Sequence, residues 1–72
     1  MTDFDYMVEG MTRDLVVLLM ERRHVTMAEA LDTIYNSETY EKLSDPRSGL
    51  YFQAPGYVYD FLEKEINYGK MQ

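Results

Sequence analysis

Asp14-Leu15-Val16-Val17-Leu18-Leu19-Met20-Glu21 sets six consecutive apolar residues between two acids. Upstream, Phe4, Met7, Val8 and Met11 lead to Leu15, Leu18 and Leu19 at the three- and four-residue steps that line one helix face. Val16, Val17 and Met20 point away from that face, so this part of the helix is apolar most of the way round. Such a helix has to be enclosed, either by the rest of the chain or by a second copy of it. The pattern predicts an all-α fold, a small helical bundle in one domain, residues 1–72, built around a long first helix.

Toward the N-terminus, Thr2 or Asp3 is placed to cap this helix, and acids in its opening turn suit the positive end of the helix dipole. Gly10 lies inside the pattern and weakens it by about 1 kcal/mol relative to alanine. It marks a kink, a close helix crossing, or a later start at Thr12. Arg22, Arg23 and His24 close the helix, where positive charge complements the dipole.

Downstream, Thr26-Met27-Ala28-Glu29 is a capping box, with Val25 placed to staple onto Ala30. Met27, Ala30, Leu31, Ile34 and Tyr35 are the expected buried stripe of this second helix. Asn36-Ser37 breaks it, and Ser37 can cap a short third helix from Glu38 to Leu43. Ser44-Asp45-Pro46-Arg47-Ser48-Gly49 is a turn: Asp45 before proline avoids helical geometry, and Gly49 tolerates positive φ. Leu50-Tyr51-Phe52-Gln53 reads as an extended loop that drops aromatics onto the core. Pro55 then opens a last helix at the first-turn position it favours. Its apolar face is Val58, Phe61, Leu62 and Ile66; Asp60, Glu63, Lys64 and Glu65 form a wet face, and Gly69 a stop. Leu15, Leu18, Leu19, Leu31, Ile34, Leu43, Phe61 and Leu62 are the expected core.

With 72 residues and no cysteine, neither a disulfide nor a thiolate metal site can add stability, which leaves a locally consistent helical core or oligomerisation. A hydrophobic content of 46% supplies enough apolar mass to fold. The net charge of −6 works against binding phosphate backbones, so no nucleic-acid partner is expected. The acidic start Met-Thr-Asp-Phe-Asp-Tyr lacks the basic residues of a signal peptide, and six apolar residues fall far short of a membrane span. A cytoplasmic, bacterial protein with no membrane partner is the expectation.

Chemistry-bearing constellations are weak. Glu21-x-x-His24 has the spacing of a carboxylate-bridged di-iron motif, but this chain holds one histidine, and a charged helix terminus accounts for the pair. Asp45 to Gly56 has too few oxygen ligands for a calcium loop. There is no nucleophile elbow and no glycine-rich phosphate loop. No catalytic, cofactor-binding or metal residue is assigned, and a non-enzyme is expected. The second and third helices could pass for a helix-turn-helix, yet Glu38 and Glu41 against Lys42 would set carboxylates before phosphates. A helix-turn-helix transcriptional regulator is therefore the alternative reading. Tyr51, Phe52, Tyr57 and Tyr59 crowd either side of Pro55-Gly56, as a binding patch or as a seal on the core.

The apolar first helix, Met27-Ala28-Glu29-Ala30-Leu31, Asn36-Ser37-Glu38-Thr39-Tyr40, Leu43-Ser44-Asp45-Pro46, Gly49-Leu50-Tyr51 and Tyr57-Val58-Tyr59 carry a resemblance. Over Asp14 to about Glu65 the chain resembles a group of short, uncharacterised bacterial all-helical proteins. Their layout is similar to a small helical family encoded beside predicted ADP-ribosyltransferase-like toxins. The resemblance implies an accessory or toxin-neutralising partner and names no binding residue.

The resulting expectation is a small protein–protein interaction module. Its candidate surface is Val16, Val17, Met20, Tyr51, Phe52, Tyr57 and Tyr59, and its partner is a second copy or another protein. Self-association would run through the first helix, unless the loop around Tyr51 and Phe52 folds back and covers that face.

Overall fold

Thr2 begins the first helix with a reciprocal cap. Its hydroxyl accepts the Asp5 N–H at 3.1 Å, and its own N–H donates to Asp5 Oδ2 at 3.3 Å. This computed structural model describes residues 2–69. Helix α1, Asp3–Arg23, runs through Gly10 without a break. A Cβ on Gly10 would meet only the Arg13 guanidinium, at 3.8 Å, so the glycine serves neither a close crossing nor a later start. Twenty-one residues at 1.5 Å each give about 32 Å, which matches the 32 Å long axis of the molecule. His24 ends α1 in the left-handed region, φ 56°, and its N–H donates to the Met20 carbonyl at 3.1 Å.

Helix α2, Met27–Tyr35, starts on the expected capping box. The Glu29 N–H donates to Thr26 Oγ1 at 3.1 Å, and the Thr26 N–H to Glu29 Oε1 at 2.9 Å. Helix α3, Glu38–Leu43, is capped by Ser37, whose hydroxyl accepts the Tyr40 N–H at 3.0 Å and donates to the Ile34 carbonyl at 2.6 Å. Two short 3-10 turns follow, Pro46–Ser48 and Leu50–Phe52, before helix α4, Pro55–Tyr68. No strand occurs among the described residues, and the fold is all-α.

The stretch from Leu50 is a correction: it is a 3-10 turn, not an extended loop. Gly49, at φ 73°, reverses the chain, and the Ser48 hydroxyl accepts the Leu50 N–H at 3.2 Å. That tight turn puts Leu50 itself into the core, a residue the short apolar run did not single out.

One apolar cluster joins the elements: Leu15 and Leu19 of α1, Ala30 and Ile34 of α2, Leu43, Leu50, and Val58, Tyr59 and Leu62 of α4. Leu18, Leu31 and Phe61, expected in the core, are half-buried on its edge. Met27 and Tyr35 depart further, at 58% and 55% exposed. The reason is geometric: Ala30 and Ile34 occupy the row of α2 that meets α1, whereas Met27, Leu31 and Tyr35 form the neighbouring i, i+4, i+8 row. A nine-residue helix packed chiefly on α1 buries one row fully. Among the described residues no helix is long and apolar enough to cross a membrane.

Candidate interaction surface

The neighbouring row of α2 does not face empty solvent alone. Met27, Leu31 and Tyr35 stand opposite Val8, Thr12 and Val16 of α1, and the two rows bound a groove of about 510 Å³. Val8, Thr12 and Val16 are nearly buried and make its floor. Tyr40 closes one side, with its ring edge-on to Tyr35 at 5.0 Å. A second depression of about 480 Å³ continues past Tyr40 along α1 and shares Val8, Glu9 and Tyr40 with the first. Phe4, Asp5 and Ser44 complete it. The first groove follows α1 from Val8 to Val16, roughly 12 Å at the helical rise, and the second depression lies beside the preceding turn.

The floor owes its shape to α1 and its walls to short elements. The Thr12 hydroxyl donates to the Val8 carbonyl at 2.8 Å, so its methyl rather than its polar end is left for the groove. The charged residues lining the groove are Asp5, Glu9 and Arg13. Asp32 on α2 and Glu41 on α3 are exposed and lie outside this lining.

The residues expected to form one surface are dispersed. Val16 is buried at 7% and belongs to the groove floor, and Met20 is half-buried. Val17 is 47% exposed on the outer side of α1, with Tyr6 and Met7 also exposed. Tyr51 is half-buried, its ring edge-on to Phe4 at 4.8 Å, so this turn does cover part of α1. Phe52 stands edge-on to Tyr51 at 5.1 Å and is 60% exposed beside a shallow groove with Met7 and Pro55. Tyr57 is exposed and edge-on to Phe61 at 5.1 Å. Tyr59 corrects the expectation outright: it is fully buried, and its hydroxyl makes no hydrogen bond to any described residue. Its position on α4 beside Val58 and Leu62 turns it inward, under the Arg22 guanidinium at 5.0 Å.

The groove residues Met27, Leu31, Tyr35 and Tyr40 were thus missed as a surface. The available signal was an excess: six apolar residues on a nine-residue helix exceed what one packed row holds.

The electrostatics elsewhere are structural. Glu65 of α4, expected on a wet face, is turned onto the start of α3. Its Oε2 accepts the Glu38 N–H at 2.6 Å, and its Oε1 accepts both the Thr39 N–H at 2.9 Å and the Thr39 hydroxyl at 2.8 Å. The Thr26 backbone N–H, then the Thr26 hydroxyl, hold the Glu29 carboxyl below its usual range. The Arg47 side chain, then its backbone N–H, do the same for Asp45. Glu21 and His24 are both exposed, and among the described residues no three metal-ligating side chains come together. Comparison with protein-family models, with curated proteins and with solved structures returns no match.

Proposed function

We propose that this chain is a non-catalytic interaction module whose groove between α1, α2 and α3 receives apolar side chains of another protein. One observation carries the reading. Met27 and Tyr35 lie more than half exposed above a floor of Val8, Thr12 and Val16, so large apolar side chains line a concave surface. Tyrosine and methionine suit such a site, since one gives rigid amphipathic area and the other adapts to an irregular partner. A toxin-neutralising accessory role, as the resemblance implies, is one form this module would take.

The alternative as a DNA reader is disfavoured by Glu65. In a helix-turn-helix, the first residues of the second helix approach the bases and phosphates. Here the N–H groups of Glu38 and Thr39 are already held by a carboxylate. An anion at that terminus opposes phosphate.

The test is selection of helical peptides displayed on phage against the wild type, counter-selected against a Met27→Glu/Tyr35→Glu double variant. Both side chains are exposed, so the variant keeps its fold, as circular dichroism would verify. Binders lost on the double variant support the reading. No binders, or binders indifferent to it, overturn it.

A second reading concerns self-association through the outer face of α1, where Tyr6, Met7 and Val17 are exposed. A two-fold contact there would set these side chains against their own copies. It leaves the groove free, so the two readings are independently testable.

A further inference from the structure

Resting on that reading of the groove, we infer that its occupant is an amphipathic helix with basic residues along the edge of its apolar face. Three features fix the occupant's shape. The groove between α1 and α2 follows α1 from Val8 to Val16, roughly 12 Å, the length of about eight helical residues or two turns. It is bounded by side chains one helical repeat apart, Val8, Thr12 and Val16 along its floor and Met27, Leu31 and Tyr35 along its wall. Such ridges accept the i, i+3/i+4, i+7 side chains of a third helix. The described residues contain no strand, so no sheet edge exists on which an extended peptide could add its backbone hydrogen bonds.

The charges fix its edge. Glu9 lines both depressions and Asp5 the second, on the α1 side, with Arg13 the lining base of the first. The chain as a whole carries −6, so the long-range field has the same sign as the local rim. Lysine or arginine on the edge of the guest that lies along α1 would meet Glu9 and Asp5, while acids there would be repelled. A second copy of this chain brings the same carboxylates and fits the rim poorly. Rim charges of this kind select partners and speed their encounter more than they hold them.

Two synthetic helical peptides with one common leucine face test this, one flanked by lysine and one by glutamate. Their affinities are read by fluorescence anisotropy on the wild type, on Glu9→Lys and on Met27→Glu. The lysine peptide is expected to bind at least about tenfold tighter than the glutamate peptide at low salt, with the gap narrowing at about 0.5 M. Glu9→Lys shrinks the gap, and Met27→Glu weakens both peptides. Equal binding of both peptides, abolished by Met27→Glu, overturns the basic-edge inference and leaves the groove reading standing. Tighter binding of the glutamate peptide does the same. Binding of neither peptide, with a dimer that Met27→Glu dissociates, overturns both in favour of a second copy. The salt dependence is read on the wild type alone, so it does not depend on any variant folding.

Discussion

The Glu65 carboxylate of α4 clasps Thr39 of α3: the Thr39 N–H and hydroxyl reach the same oxygen, Oε1, at 2.9 and 2.8 Å. With the Glu38 N–H on Oε2 at 2.6 Å, this residue far along the chain takes the first two N–H groups of a six-residue helix whose third is capped by Ser37. So short a helix is not stable by itself. Its position, and with it Tyr40 on the groove wall, therefore depends on α4.

Glu65→Ala removes a charged acceptor from these donors and leaves Thr39, which is fully buried, unsatisfied. We expect a loss of about 2 kcal/mol in urea unfolding, since hydrogen bonds to charged groups are worth roughly 1.5 to 3 kcal/mol. Thr39→Val, which keeps the shape but loses the hydroxyl, costs about 1 kcal/mol. A change within error for both would mean that α3 is held by packing alone.

Gly10→Ala is expected to stabilise. The site is helical, and the nearest atom to a new Cβ is the flexible Arg13 guanidinium at 3.8 Å. The gain is about 0.5 to 1 kcal/mol, from helix propensity and a less mobile unfolded chain. A lower midpoint in urea would show that the helix needs glycine there.

Tyr59 separates ring from hydroxyl. The hydroxyl is buried and without a partner among the described residues. Tyr59→Phe is therefore neutral or stabilising by up to about 1 kcal/mol, whereas Tyr59→Ala, which opens a cavity beside Val58 and Leu62, costs about 3 to 5 kcal/mol. Thermal unfolding of the two variants measures both. A clear loss for Tyr59→Phe would imply a hydrogen bond to that hydroxyl.

Acid should loosen the turns before the core. The folded forms of Glu29 and Asp45 hold their carboxyls below the usual range, through Thr26 and through Arg47 respectively. A depressed folded pKa means that the stabilisation is complete above the unfolded value and is lost as pH falls through the folded one. Stability should therefore decline below about pH 4.5 and stay flat above it as far as these two groups are concerned. Glu29→Gln flattens part of that decline in a pH series of urea midpoints. An unchanged slope would contradict the assignment.

Val17→Glu tests the outer face of α1. If two copies pair along Tyr6, Met7 and Val17, sedimentation at micromolar concentration shows a dimer that this charge dissociates. A wild-type monomer, or a dimer that tolerates the charge, removes self-association from the account.

Local chemistry made the helices legible. The Thr26–Glu29 box, the Ser37 cap, Pro55 at the start of α4 and Gly69 at its end all rest on contacts within a few residues. Leu15, Leu19, Ile34, Leu43 and Leu62 were readable as core by period. What could not be read depended on which neighbour each face meets. Met27 and Tyr35 share the apolar character of Ile34, and only the placement of α1 decides that Ile34 is covered while they border a groove. Glu65 looks like any solvated acid until α3 is brought to it across the chain. Tyr59 sits in a tyrosine-rich run, and its inward turn follows from the phase of α4, which local composition does not report.

The groove as a helix-binding site is the central claim, and amide chemical-shift mapping of the lysine-flanked peptide tests it most directly. Shifts are expected to concentrate at Val8, Thr12, Val16, Met27, Leu31, Tyr35 and Tyr40, with Val17, Phe52 and Tyr57 unmoved. Shifts centred on Val17, Phe52 or Tyr57, with the groove silent, would contradict it.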